Sequence, residues 1–110
     1  MKKIYISGKM TGLKDFGFEY FKKAEEYLLK NYSNLDIEII NPIYIANDKS
    51  KELKKDLDKI DRKTFLKEDI KQLVECDVIA LLPNYVDSKG ALLERQIALG
   101  LDMDIIYLNI

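Results

Sequence analysis

The sequence predicts an α/β domain: a mostly parallel sheet with helices on both faces. Three observations carry this. Short apolar runs alternate with stretches of helical spacing, the order expected of βαβ units. The run at 77–82 (D-V-I-A-L-L) is nearly continuous in apolar residues, as a strand covered on both faces must be. No repeat, low-complexity stretch or linker divides the 110 residues, so residues 1–110 read as one domain.

Taken in order, Lys3–Ser7 (K-I-Y-I-S) is a strand ended by Gly8, and Gly8–Gly12 is a turn-rich loop. Phe16–Lys30 places Tyr20, Phe21, Ala24, Tyr27 and Leu28 at helical spacing. Leu35–Ile40 is a second strand, closed by Asn41-Pro42. Asn47–Lys63 is heavily charged with a thin stripe of Leu53, Leu57 and Ile60, and reads as a surface helix or a mobile flap over a cleft. Thr64–Glu75 is a helix with Leu66, Ile70, Leu73 and Val74 along one side. Asp77–Leu82 is the buried strand. Ser88–Gly100 is a helix with Ser88 as N-cap and Gly100 just past its end, and Asp104–Leu108 is a last strand. In such sheets ligands bind beyond the carboxyl ends of the strands. That points to the loops after Ser7, Ile40 and Leu82.

Composition narrows the function. Lys and Arg number 18 against 19 Asp and Glu, a net charge of −1, which offers no basic footprint for duplex nucleic acid and no basic face for a membrane. No apolar stretch approaches the ~20 residues of a membrane span, and the chain enters its first strand directly, so a cytoplasmic protein is expected. The single cysteine allows no internal disulfide, and Cys76, opening an apolar run, reads as a small buried hydrophobe. There is no histidine, which removes the commonest zinc ligand and the usual acid/base group. Neither metal nor cofactor is expected, and acid/base chemistry falls to carboxylates, Tyr or Lys.

Glu94 is the most informative residue. Its helical neighbours are Gly90, Ala91, Ile97 and Ala98, so a carboxylate sits within an apolar, small-residue face that should pack on the sheet. A buried acid needs a partner or a purpose: a buried ion pair, or chemistry, unless the helix is phased differently and the acid is not buried. Gly90, one turn earlier on the same side, either starts the helix or leaves room for a ligand. Asp69 lies at the edge of its helix's stripe, as a solvated boundary residue or as a second acid. Two carboxylates in one cleft are the usual equipment for glycosidic chemistry. Tyr5 is either a core aromatic or the group that orients a carboxylate. The loop Ser7-Gly8-Lys9-Met10-Thr11-Gly12 fails the phosphate-loop and dinucleotide patterns, but offers Lys9 and backbone N–H groups to an anion.

Four stretches together carry a resemblance: I-Y-I-S-G-K-M-T-G at the start, E-D-I around Asp69, C-D-V-I-A-L-L-P at 76–83 and S-K-G-A-L-L-E-R-Q-I-A-L-G at 88–100. Over essentially the whole chain they resemble the nucleoside 2-deoxyribosyltransferase-like superfamily, most of all a small phage and bacterial subgroup of largely unassigned function. The resemblance implies a flavodoxin-like or Rossmann-like domain that forms homodimers or higher homo-oligomers. It implies cleavage of the N-glycosidic bond of a nucleoside or nucleotide, with the sugar passed to a second base or to water. On this chain Glu94 matches the nucleophile, Asp69 the aspartate that handles the leaving base's proton, and Tyr5 the tyrosine that orients the glutamate. Ser7, Gly8, Lys9, Met10, Ser88 and Gly90 are the expected substrate-binding set. Two departures stand out. Lys9 replaces a proline common in the subgroup, and the site's completing polar residue, which active members take from a neighbouring subunit, is either missing or comes from elsewhere, with Asn109 a candidate. The alternative to an enzyme is a protein of the same fold that captures a nucleotide-derived signal. An apolar setting raises a carboxylic acid's pKa whereas a nucleophile must be ionised, so Glu94 needs hydrogen bonds from Tyr5 and the helix N-terminus.

Overall fold

In the computed structural model, which describes residues 1–110, the apolar runs become four parallel strands: β1 (Lys2–Ser7), β2 (Ile37–Ile40), β3 (Val78–Leu81) and β4 (Asp104–Tyr107). Their order is β2-β1-β3-β4, so β1 and β3 are central. The connections are the helices α1 (Phe18–Asn31), α2 (Pro42–Leu53), α3 (Arg62–Leu73) and α4 (Lys89–Gly100). The parallel α/β sheet covered on both faces is thus the architecture expected, and no helix is long and apolar enough to cross a membrane.

Side chains of a strand alternate between faces, and the central strands are buried on both. Ile4 and Ile6 of β1, with Val78 and Ala80 of β3, pack against Phe21, Ala24 and Leu28 of α1 and Ile43 of α2. Tyr5, Ile79 and Leu81 point the other way, onto Leu73 of α3 and Ala98 of α4. This alternation decides where the chemistry can be. Tyr5 and Ser7 share the face of the sheet covered by α3, which carries Asp69, and α4, which carries Glu94.

Beyond shifts of one or two residues at strand and helix ends, the boundaries differ from expectation where a local cause is visible. α1 begins at Phe18, not Phe16; Lys14–Gly17 form a short 3-10 turn whose interior is left-handed at Asp15 (φ 49°), Phe16 (φ 55°) and Gly17 (φ 78°). Left-handed backbone costs an L-residue about 1–2 kcal/mol, so this turn is held by its surroundings. The charged stretch 47–63 is not one element. α2 starts at Pro42, where the Asn41 side chain accepts a hydrogen bond from Ile43 N (3.1 Å) and proline occupies the first helical position. It ends at Leu53, before the left-handed Lys54. Asn41-Pro42 therefore closes β2 and opens α2 at once. α3 begins two residues early because Asp61 caps it, accepting from Thr64 N at 2.9 Å. Finally, Gly100 is the last residue of α4 rather than its left-handed terminator; the left-handed residue is Asp102 (φ 56°). At the other end Ser88 caps α4 as expected, accepting from Ala91 N at 3.1 Å.

Candidate active site

The buried residues of α4 are Ala91, Glu94 and Ala98. Two alanines flanking the acid let the helix lie close to the sheet and press the carboxyl onto β1. Glu94 is only 5% exposed. Tyr5 Oη donates to Glu94 Oε2 at 2.6 Å and Ser7 Oγ donates to Oε1 at 2.7 Å. Each carboxyl oxygen thus has its own hydroxyl. Glu94 takes part in none of the ion pairs of the molecule, all of which lie among other residues. The buried-ion-pair account of this acid therefore fails, since its partners are two neutral donors.

Burial lifts the Glu94 carboxyl to about 7, opposed by the hydrogen bonds from Tyr5 and Ser7. Asp69 is pushed to about 8, by burial first, then by the nearby Glu94 charge and by Glu68. Burial, and then the charge of Glu94, holds the Tyr5 phenol well above its usual range, so it stays a donor. Both carboxyls are thus held above the ordinary carboxylate range, and the Glu94 charge adds to burial in favouring the protonated form of Asp69. Two acids whose environments separate their protonation states are what a nucleophile and a general acid require.

Both acids open onto one cavity of about 330 Å³, near the lower end of the ~300–1,000 Å³ usual for small-molecule sites. Its apolar lining comes from Met10 after β1, Phe16 before α1, Leu57 and Ile60 before α3, and Phe65 and Leu66 on α3. Gly8 after β1 and Ser88 and Gly90 at the start of α4 also line it. Beside it lies a second cleft of about 240 Å³ that shares Thr11, Arg62 and Ser88 with the first, adds Lys9, Asp87 and Lys89, and has no apolar lining residue. Lys9, Arg62 and Lys89 engage in no ion pair, and the α4 N-terminus opens beside them at Ser88. Unpaired cations with a helix N-terminus form a setting for an anion.

The glycines differ in role. A Cβ on Gly8 would lie 2.6 Å from Leu82 Cδ1 and 2.9 Å from Leu82 Cβ, so the loop after β1 can pass the end of β3 only as glycine. Lys9 N, donating to Asn84 Oδ1 at 2.9 Å, ties that loop to the turn over Pro83–Asp87. A Cβ on Gly90 meets nothing nearer than Leu66 Cδ1 at 3.7 Å, and its backbone is ordinary, so the space beside it is cavity.

Of the residues singled out in the sequence, Glu94, Asp69, Gly8, Met10, Ser88 and Gly90 line the larger cavity and Lys9 the polar cleft. Tyr5 and Ser7 are fully buried behind Glu94; Ser7, expected to touch substrate, turns its hydroxyl on the carboxylate instead. Asn109 lines neither cleft. Sequence reasoning missed Phe16, hidden in what passes for the start of α1, and Arg62, Phe65 and Leu66 on α3. The thin stripe of Leu57 and Ile60 in the charged segment was the signal available: both line the cavity. No group of three or more Cys, Asp or Glu side chains is arranged to hold a metal ion.

Comparison with known proteins agrees with this architecture. The chain superposes on a 2-desoxiribosyltransferase from Leishmania mexicana with a TM-score of 0.62 and 19% identity, over 96% of this chain and 62% of that one. At that identity the likeness is one of fold, and the chain spans about 62% of the length of the protein it matches. No curated protein sequence matches the chain. A family model, "Domain of unknown function (DUF4406)", matches residues 2–107. The chain therefore belongs to the DUF4406 family, on an α/β fold shared with the Leishmania mexicana 2-desoxiribosyltransferase.

Proposed function

We propose that this protein cleaves the N-glycosidic bond of a nucleoside or nucleotide through Glu94. One observation carries the reading: a buried carboxylate held by two hydroxyls, with no cation, at the edge of a cavity it shares with a second acid, Asp69, whose carboxyl burial and the Glu94 charge push up. A Glu94 carboxylate oxygen attacks C1′ of the sugar while the C1′–N bond breaks and its electron pair leaves on the base. Asp69 gives its proton to that base. A second base or water, deprotonated by Asp69, then attacks C1′ and releases Glu94, which is the retaining pattern of two-carboxylate glycosyl transfer. Tyr5 and Ser7 keep Glu94 aimed and support its anion. The larger cavity suits the nucleoside. The adjoining cleft, with Lys9, Arg62 and Lys89 around the α4 N-terminus, favours a phosphate on it.

A homodimer belongs to this reading. The outer face of α4 exposes Leu92, Leu93 and Leu99, an apolar surface where a helix facing water would be polar. A cytoplasmic setting goes with this reading too.

The second reading, capture of a nucleotide-derived ligand without turnover, is favoured by the high Glu94 pKa, which leaves much of the nucleophile protonated. One experiment separates them. Purified protein is incubated with a panel of deoxynucleosides and deoxynucleoside monophosphates, with and without a second free base, and the products are resolved by chromatography beside Glu94→Ala. Release or exchange of base by the native protein alone supports the glycosyl chemistry and identifies the acceptor. No release from any member, with saturable binding of one, leaves capture.

A further inference from the structure

The least ordinary backbone in the molecule is the left-handed run Asp15-Phe16-Gly17. Two of its residues are suited to it. Gly17 carries no side chain, and a Cβ there would lie 2.9 Å from Lys9 O. Asp15 is exposed and of a type that tolerates such angles. Phe16 is neither: a bulky aromatic at φ 55° is a genuine outlier. Residues in such conformations persist where the surroundings over-determine them, and they concentrate at ligand sites. Phe16 packs partly against the core beneath α1, and its remaining surface lines the larger cavity together with Phe65 and Leu66 of α3.

We infer that Phe16 is a ligand-binding residue, held in the cavity wall by this left-handed turn so that its ring forms the face on which the planar base of the substrate stacks. The inference rests on the nucleoside reading of the site and adds to it the residue that recognises the base. An aromatic face against a base is tolerant of base identity and contributes about 1–3 kcal/mol by alanine substitution, which is about 5- to 150-fold in affinity. Phe16 therefore sets affinity for the base, whereas Glu94 and Asp69 face the sugar bond.

The chain has no tryptophan, so Phe16→Trp introduces the only indole. Its emission should be quenched saturably by a deoxynucleoside monophosphate, with the dissociation constant that calorimetry gives, and not by deoxyribose 5-phosphate, which has no base. Phe16→Leu keeps an apolar side chain in the core but has no π face. It should unfold near the native temperature, bind the nucleotide about tenfold more weakly, and bind deoxyribose 5-phosphate as tightly as the native protein does. Nucleotide affinity unchanged in Phe16→Leu, or an indole indifferent to a nucleotide that calorimetry shows to be bound, overturns the assignment. Calorimetry silent for every nucleoside and nucleotide with the native protein would instead remove the nucleoside reading, and this inference with it.

Discussion

Tyr5→Phe removes one oxygen from beneath the cleft and leaves the aromatic ring in the core. The lost hydrogen bond, 2.6 Å to Glu94 Oε2, favours the charged form of the carboxyl. A hydrogen bond to a charged group contributes about 1.5–3 kcal/mol, and each pH unit of a proton equilibrium corresponds to about 1.4 kcal/mol, so the Glu94 midpoint should rise by about one to two pH units from about 7. In the proposed mechanism the active form has Glu94 ionised and Asp69 protonated, so the native rate should be bell-shaped, rising through about 7 and falling through about 8. These limbs belong to the coupled pair rather than to either acid alone. In the variant, base release at pH 7 should fall roughly 5- to 50-fold. Raising the pH cannot recover all of it, because Asp69 loses its proton as Glu94 does; the optimum should move up by only about half to one unit, with a lower peak. Initial rates of base release between pH 5 and 10 measure this. A Tyr5→Phe profile lowered by the same factor at every pH would refute the idea that Tyr5 tunes the charge of Glu94.

Other consequences follow from the same geometry. Glu94 and Asp69 hold protons more tightly folded than unfolded, so the stability they contribute is fully present below their ordinary carboxylate values and lost as pH rises through about 7 and about 8. The melting temperature should drop between pH 5 and 8, Glu94 alone accounting for on the order of 3 kcal/mol, and Glu94→Gln should flatten that slope. Lys54 is exposed and left-handed at the end of α2 (φ 53°), so Lys54→Gly should stabilise the protein by about 1 kcal/mol in chemical denaturation. Gly8→Ala should destabilise by about 1–3 kcal/mol, because the new methyl meets Leu82 in the packed core. Gly90→Ala should melt like the native protein and yet bind nucleotide more weakly, since its methyl enters the cavity.

The sheet was legible because its signals are local. Apolar runs between turn residues mark strands whatever lies around them, and period-two alternation already sets Tyr5 apart from Ile4 and Ile6. Glu94 was legible for a related reason: a lone acid amid Ala91 and Ala98 stands out at helical spacing. Asp69 was ambiguous, because its neighbours on the helix do not reveal that it lines one cavity with Glu94 and with Leu57 and Ile60 of the segment before α3. Phe16 was invisible. Helical spacing runs smoothly back through it, and nothing in its identity announces a left-handed backbone dictated by contacts with the core. The polar cleft was equally hidden, since Lys9, Arg62 and Lys89 come from three separate segments and meet only in the folded chain. The start of α2 was misjudged because Asn41-Pro42 is at once a strand-ending and a helix-opening dipeptide.

The central claim is that Glu94 bonds to the sugar, and the most direct test is to look for that bond. Protein mixed with a deoxynucleoside monophosphate that it turns over is quenched in acid, and its intact mass and peptides are measured beside Glu94→Ala. The account predicts an added 5-phospho-2-deoxyribosyl group (the mass of deoxyribose 5-phosphate less one water) on the peptide containing Glu94, absent from Glu94→Ala and lost when a free base is supplied before the quench. Base release by the native protein with no adduct at Glu94, or with base release surviving in Glu94→Ala, would contradict it.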